Sequence, residues 1–456
     1  MKTLRGEITV YVSLVFILLL TLVSALIESA SIQSAKNYRR ADMVRATECV
    51  FAEYQKELLE EYDIFALEGS YETGEYEEKN LIDRLKYYGV QNAEQEIKRI
   101  QFLTDSGCQA FYEQVCAYMK NKYGLDKVEE FVGQTDLWKK QEGDVEDYSS
   151  QETQKQEELE TLLEENEGQL PTENNPIDHV NGLKSSPILT LIAPGDMQIS
   201  EKRISLGEMV SHRSLNKGYG NFADEEQNTK TLSMLLYGEY VLEHFAMATD
   251  ENQTGALDYE VEYILEGKAS DRENLEAVAG KLLLLRFASN YGYIQTDSVK
   301  KAEAEAMALS LCTLLAVPAI TEAAKQVILL AWAFGESVVD VRSLLKGNKV
   351  PLLKTKESWQ LSLSSLLTLG TENDQSDGAD VEGGLKYKDY LRILLFLEKR
   401  ETAGVRTLDL IERNLITEYG QEYFRADLCV SKIEFLSTCN FRRGITYRFP
   451  TYFGYH

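Results

Sequence analysis

The chain has 456 residues and carries 48 Lys and Arg against 74 Asp and Glu, a formal net charge of −26 at pH 7. That balance argues against nucleic acid as a partner, because holding phosphates needs a basic surface. The length is ample for a sizeable core and for two or three domains.

Residues 1–7 form a short basic tail with Lys2 and Arg5. Residues 8–27, ITVYVSLVFILLLTLVSALI, carry no charge and are long enough for one helical crossing of a bilayer. A single apolar segment in lipid must pair its own backbone groups, so it must be a helix. Lys2, Arg5 and the α-amino group favour a cytoplasmic N-terminus. Lys36, Arg39, Arg40 and Arg45 follow the span and oppose that assignment. The tail is short and a long acidic remainder can be translocated regardless of charge, so N-in is the expectation. A cleaved signal peptide is one rival, with weak sites at Ser24-Ala25 and Ser29-Ala30, but its apolar core would be only about 7–15 residues. A buried soluble helix is the other, and no polar face interrupts the run.

Residues 28–62 contain no Pro or Gly. Ala41, Val44, Val50, Phe51, Tyr54, Leu58 and Tyr62 fall near one helical face, so a single helix over 8–62, about 80 Å long, is expected. Residues 63–74 then form a loop, 75–88 a helix, 96–103 a strand and 108–123 a helix with Phe111, Val115 and Met119 on one face. Residues 140–186 are expected to be an acidic linker or exposed helical spacer, because the Glu- and Gln-rich run has few apolar residues and Pro171 and Pro176 interrupt it. This places a membrane-proximal helical region at 28–139 and a C-terminal α+β region at 187–456.

Within that region residues 228–248 read as a helix. Residues 257–266, LDYEVEYILE, alternate apolar and acidic and read as an amphipathic strand ended by Gly267. Ser270 and Glu273 form a capping box that should open a helix over 271–290. A further helix should start at Asp297 or Ser298 and lead into the apolar run 306–320, expected as a buried core helix. Residues 321–345 follow as a helix with Gly347-Asn348 past its end. Residues 350–353 suggest a short strand, 370–384 a mobile loop, and 387–400 with 405–419 a helical hairpin turning at Ala403-Gly404. The tail, 427–435 and 444–452, reads as a β-hairpin that should pair with 257–266. The expected fold class is α+β and mostly helical, with a small antiparallel sheet. No internal repeat is visible.

No catalytic constellation is found. His179, His212, His244 and His456 match no metal-ligand spacing, and His244 reads as a packing residue. There is no nucleophile elbow and no P-loop. Cys49, Cys108, Cys116, Cys312, Cys429 and Cys439 match no zinc signature. Local pairs 108/116 and 429/439 are open as disulfides or thiols, while Cys49 and Cys312 read as small core residues. Asp271, Glu273, Glu336 and Asp340 are the carboxylates to inspect, with capping or a solvated face as their ordinary role. No catalytic, cofactor or metal residue is assigned.

The start, RGEITVYVSLVFILLLTLVSALIESA, with RATECVFAEYQKELLEEYDIFALEG, resembles a family of uncharacterised single-pass membrane proteins of Gram-positive bacteria. QFLTDSGCQAFYEQVCAYMK, LDYEVEYILEGKASDRENL and WAFGESVVDVRSLLKGNKVPLLKTKESW carry the same resemblance. It implies a genetic setting beside tight-adherence pilus assembly genes, and hence membrane and pilus or secretion proteins as partners, with the bulk outside the cytoplasm. The head also resembles a pseudopilin's. Cleavage after Gly6 would leave Tyr11, not Glu, as the fifth residue. The expected role is a structural or assembly component of a pilus or secretion system, the alternative an envelope enzyme or ligand-binding protein.

Overall fold

The computed structural model describes residues 4–124, 131–223, 229–251, 254–313, 315 and 317–455. The start of the 228–248 helix at Asn228, His456, Lys2 and part of the 306–320 run lie outside the described residues. The chain forms two units: residues 1–114, 215–225 and 419–456 make the first, and residues 115–214 and 226–418 the second. These boundaries do not fall at the acidic run.

The first unit begins with helix α1, Leu4–Phe51, 48 residues and about 70 Å long at the usual rise. It stops at Phe51 without a Pro or Gly, eleven residues short of the expected end at Tyr62. The cause is tertiary. The Tyr455 hydroxyl donates to the Phe51 carbonyl, and the Gln55 N–H that would have bonded that carbonyl instead donates to Ala66 O at 2.9 Å. The Phe51 ring stacks on Phe453 with centroids 4.3 Å apart. A second helix, α2, Lys56–Tyr62, follows and ends at Asp63 in the left-handed region (φ 54°). The buried stripe of α1 is Met43, Ala46, Thr47 and Val50, spaced i, i+3, i+4, i+7. Ala41 and Val44 lie outside it and are exposed, which corrects the face expected for them.

The sheet of this unit is antiparallel and centred on β3, Cys429–Asn440. Strand β2, Ala93–Phe102, runs along one edge, with Ile97 opposite Phe435 and Ile100 opposite Ile433. Strand β4, Thr446–Gly454, and the two-residue β1, Leu67–Glu68, share the other edge. The tail is therefore the expected hairpin, but its neighbour is β2 and not residues 257–266. Helix α3, Glu78–Tyr87, and the buried half of α1 supply Leu81, Leu85, Met43, Ala46 and Val50 to a core with Ile97, Phe435 and Phe449. Burying each of these side chains other than Ala46 contributes about 1.5–3 kcal/mol. Helix α4, Asp105–Tyr123, opens with Ser106, Gly107 and Cys108 in left-handed backbone before the right-handed turns begin. The Asp105 carboxylate holds this opening, accepting from Phe102 N at 2.7 Å.

The second unit is helical. The acidic run is mostly one helix, α5, Thr135–Glu165, which buries Trp138, Gln141 and Leu159. It packs against α10, Asp271–Ile294, and α12, Pro318–Leu345, so it belongs to the body of this unit. Trp138 meets the Phe396 ring edge-on with centroids 5.5 Å apart, and Tyr148 meets Tyr291 at 5.3 Å, so aromatic contacts anchor a largely polar helix. Asn175 caps α6, Pro176–Lys184, by accepting from Ile177 N at 3.0 Å, with Pro176 at the first position. Helix α7 is Ile188–Ile192, and α8, Lys230–His244, is capped by Thr229.

Residues 260–266 are a helix, α9, and not the expected strand. All of 260–265 are buried, Glu260 and Glu262 among them. Alternation therefore did not mark one wet face; both carboxylates turn inward to bond the backbone of residues 246 and 248. Gly267 ends α9 in the left-handed region (φ 65°), its N–H donating to Tyr263 O at 2.7 Å. Ser270 caps α10 through Glu273 N, and Asp297 caps α11, Ser298–Leu311. The apolar run 306–320 is not one core helix: α11 ends at Leu311, Leu309 is 56% exposed, and Pro318 starts α12 at a position that needs no N–H.

Residues 350–353 contribute only a single bridge, Val350 to Leu385. The 370–384 segment is held, not loose. Asp374 bonds Gly370 N and Ser376 N and pairs with Arg342, and Asp380 accepts from Lys349 N. After the four-residue α13, Leu363–Leu366, come α14, Tyr387–Leu397, and α15, Arg400–Glu418. Their turn lies at Glu398-Lys399, and Ala403 and Gly404 are buried inside α15. The architecture is α+β and mostly helical, with a long apolar N-terminal helix and a small antiparallel sheet.

Candidate functional site

Two features combine exposure or charge in ways a core would not require. The first is the leading half of α1. Its most apolar 18-residue window has a mean hydropathy of 2.8, and none of that window is buried. Ile8, Leu18 and Ile27 are each more than half exposed. Water would penalise this surface heavily, at about 25 cal/mol per Å², so it is built for an apolar surrounding. Beyond it the helix meets the β3–β4 turn. Ser24, Ile27, Glu28, Ser31, Ile32 and Ala35 line an open cleft of about 770 Å³ with Phe441 and Arg442. Lys36 Nζ lies 4.9 Å from the Tyr447 ring centroid, and the Arg40 guanidinium lies 5.5 Å from Tyr447 and 5.9 Å from Phe449. Arg39 donates to Gln91 O at 3.0 Å.

The second feature is a set of buried charges in the helical unit. Of the four carboxylates chosen from the sequence, Glu336 and Asp340 come together on α12. Lys354 Nζ bridges them, at 2.5 Å to Glu336 and 2.7 Å to Asp340. Arg286 contacts Asp340 at 3.0 Å, and its remaining donors reach Pro351 O, Leu352 O and the Tyr390 hydroxyl. All four charged side chains are essentially solvent-free. Burial raises the Glu336 carboxyl against the pull of Lys354. Burial also acts on Asp340, but Arg286 and Lys354 overcome it and hold that carboxyl below its ordinary range. Two anions and two cations cancel, and every strong donor is used. This is a satisfied ion-pair network, with the geometry of a structural clamp.

Asp271 is elsewhere. It accepts from Asp258 N, Tyr259 N and the Ser200 hydroxyl, tying the loop before α9 to the start of α10. Glu273 supplies the N–H that Ser270 caps. Glu260 and Glu262, read from the sequence as solvent-facing, are buried. Glu260 accepts from Ala246 N and Asn414, and Glu262 from Ala248 N and the Tyr387 hydroxyl. Burial pushes both carboxyls up to about 7.

The histidines do not converge. His179 contacts Leu369 O and His244 contacts Tyr240 O while lying against the Tyr240 ring. Ser211, His212 and Asp409 do meet: Ser211 Oγ is 2.8 Å from His212 Nδ1 and donates to Asp409 at 2.6 Å. In a nucleophilic triad the imidazole sits between hydroxyl and carboxylate. Here the hydroxyl sits between, so the imidazole has no path to relay charge to Asp409. Among the described residues no group of His, Cys, Asp and Glu is arranged to hold a metal ion. Cys429 and Cys439 stand at the two ends of β3, about 33 Å apart, and Cys108 and Cys116 are some two turns apart on α4, so neither pair can bridge.

An open cleft of about 850 Å³ lies in the same unit, lined by Asp196, Asp250, Glu251, Tyr259, Lys346 and Asn348 among others. The network at Glu336 does not line it. Sequence reasoning missed Arg286 and Lys354, which nothing in their local pattern marks, and the role of Phe441 and Arg442. A signal for the latter was present: residues 436–448 contain three Arg and no acid.

Comparison with curated proteins and with solved structures gives no match. A family model does match, over residues 166–441, which is more than half the chain and begins after α1. The chain belongs to this family, a family of unknown function (DUF5702).

Proposed function

We propose that the protein is a membrane-anchored structural or assembly component of a cell-surface pilus or secretion system, acting by protein–protein contact. Its N-terminus is cytoplasmic and its bulk extracytoplasmic in this reading. One observation carries it: the apolar half of α1 is wholly bare, yet the same unbroken helix continues into the sheet core. A helix built this way transmits position between bilayer and body. The pilus setting rests on the resemblance of the head and of the later motifs.

Crosslinking and mass spectrometry of the tagged full chain in its native membrane tests the proposal, with the N-terminal peptide read in the same run. Recovery of pilus or secretion assembly proteins with a Met1 or Lys2 terminus supports an anchored component. A terminus at Glu7 makes it a processed, pilin-like one. Absence of any such partner overturns the assembly role. The outward side of α1 carries Tyr38, 70% exposed, and Val44, 46% exposed. Tyr38→Asp with Val44→Asp should abolish partner recovery and leave the fold intact, whereas Phe51→Asp would break the core.

The second reading is a ligand-binding protein or enzyme of the envelope, favoured by the acidic cleft at Asp196, Asp250 and Glu251. A ligand-dependent rise in unfolding temperature that Asp250→Asn removes would support it.

A further inference from the structure

We infer that the tip of the β3–β4 hairpin is a second membrane contact, a headgroup-binding site for anionic phospholipid beside the α1 anchor. The inference rests on α1 spanning the bilayer, but holds for either orientation of the body. Three observations carry it.

The first is level. Phe441 and Arg442 line one cleft with Ser24, Ile27, Glu28, Ser31, Ile32 and Ala35. The uncharged run ends at Ile27. A hydrocarbon core of about 30 Å takes up some 20 helical residues, and headgroups extend the bilayer to about 40–45 Å. Ser24 therefore stands at the edge of the hydrocarbon and Glu28 to Ser31 in the headgroup layer. The hairpin tip is at the same height as these residues.

The second is charge. Residues 29–41 of α1 hold Lys36, Arg39 and Arg40 and no acid. Residues 436–448 of the hairpin hold Arg442, Arg443 and Arg448 and no acid. Lys36, Arg39, Arg40, Arg442 and Arg448 outnumber the nearby acids, Glu28 at the cleft and Glu94 opposite Thr438 on β2, in a chain whose formal charge is −26. Glu28 is the one carboxylate lining the cleft. Anionic headgroups are the complement of such a collar.

The third is side-chain type. Phe441, Ile445 and Tyr447 are half-buried at the tip, and Tyr447 also carries Lys36 and Arg40 over its ring. Aromatic residues beside cations suit the interface, where an apolar body and a polar rim are both solvated. The hairpin would thus fix the tilt and rotation of α1, which a lone helix leaves to its neighbours.

The test uses the full chain reconstituted into nanodiscs of phosphatidylcholine, with and without phosphatidylglycerol. A Phe441→Trp variant reports the tip against the three native tryptophans, measured in the parent chain. Quenching of the added emission by headgroup-spin-labelled phosphatidylglycerol, stronger than by labelled phosphatidylcholine, is the expected result. Each of Lys36→Glu and Arg442→Glu should lower that preference about fivefold, and Arg40→Glu, about 13 Å further along α1 than Ser31, should lower it less. Absent quenching, or equal quenching by the two lipids, overturns the proposal. Should Phe441→Trp fold poorly, photoactivatable phosphatidylglycerol on the unaltered chain gives the same reading through the peptide spanning residues 441–448. Alkaline carbonate extraction separates the two claims. Release of the chain from vesicles defeats the α1 anchor itself, whereas a retained chain with an unlabelled tip defeats only this inference.

Discussion

Two pairs of buried carboxylates sit in the helical unit and are stabilised by opposite means. Glu336 and Asp340, one turn apart on α12, are matched by Lys354 and Arg286. Glu260 and Glu262, on α9, accept only from neutral donors: backbone N–H groups, Asn414 and Tyr387. Cations were buried with the first pair: Arg286 and Lys354 hold the Asp340 carboxyl below its ordinary range, while burial still raises Glu336 against the pull of Lys354. The second meets burial by taking up protons, and both carboxyls rise to about 7. Burial fraction alone does not say which answer a carboxylate takes; the charge of its neighbours does. The second arrangement makes stability depend on pH near neutrality.

The largest effect should come from breaking the matched pair. Lys354→Met leaves two carboxylates facing each other without their shared cation, and should cost about 3–5 kcal/mol. Chemical denaturation of the detergent-solubilised chain measures it. A loss below about 1 kcal/mol would mean that water reaches the network and that the contrast between the pairs is weaker than the buried geometry implies.

Glu262→Gln should act with the opposite sign, by an amount that grows as pH rises from about 4.5 to about 7. The Glu262 carboxyl titrates near 7 in the folded state, above its ordinary 4.5, so between those values the folded chain holds a proton that the unfolded chain releases. Stability therefore falls as pH rises through this window, and the full cost is present above it. A shift of that size corresponds to about 3 kcal/mol. Glutamine presents the same oxygen to Ala248 N and Tyr387, and places its amide where Oε2 has no partner among the described residues. A protonated carboxyl does the same. The variant should match the parent near pH 5 and exceed it by up to about 3 kcal/mol near pH 8. Melting curves across that range decide the matter, and a variant less stable at pH 8 would show that the carboxylate stays charged.

Much of this contrast lies beyond what local pattern carries. Ser270 and Asp297 announce their helices because capping is settled within three or four residues, whereas Pro176, expected as a breaker, opens α6 behind the Asn175 cap. The C-terminal hairpin is equally local. Residues 260–266 misled because alternation reads as one wet face only when one face is wet, and here both acids turn inward. The acidic α5 carries too few buried apolar residues to form a stripe.

 Trp138 and Leu159 are its buried apolar anchors, and they lie 21 positions apart. The break after Phe51 is invisible locally, because Tyr455, 404 positions away, makes it. Glu336 and Asp340 are two of the four carboxylates marked for inspection, but Arg286 and Lys354 are brought to them only by the packing of α10 and the segment after α12.

The smallest and most discriminating change is a matched pair on α14, which presents one tyrosine to each site. The Tyr387 hydroxyl donates to Glu262 at 2.8 Å. The Tyr390 hydroxyl, three residues on, accepts from Arg286 at 3.0 Å and donates to Val350 O. Phenylalanine at either position removes a hydroxyl and should cost about 1 kcal/mol. The pH dependence should differ. Tyr387→Phe takes a donor from an oxygen that is charged only above its midpoint, so its cost should grow from pH 5 to pH 8 as the Glu262 midpoint moves upward. Tyr390→Phe touches a cation that stays charged throughout this range, so its cost should be flat. Parallel melting curves of the two variants test this directly. If both costs rise together, the two carboxylate pairs titrate as one system, and the cations at Glu336 and Asp340 do not isolate them from the protons taken up at Glu260 and Glu262.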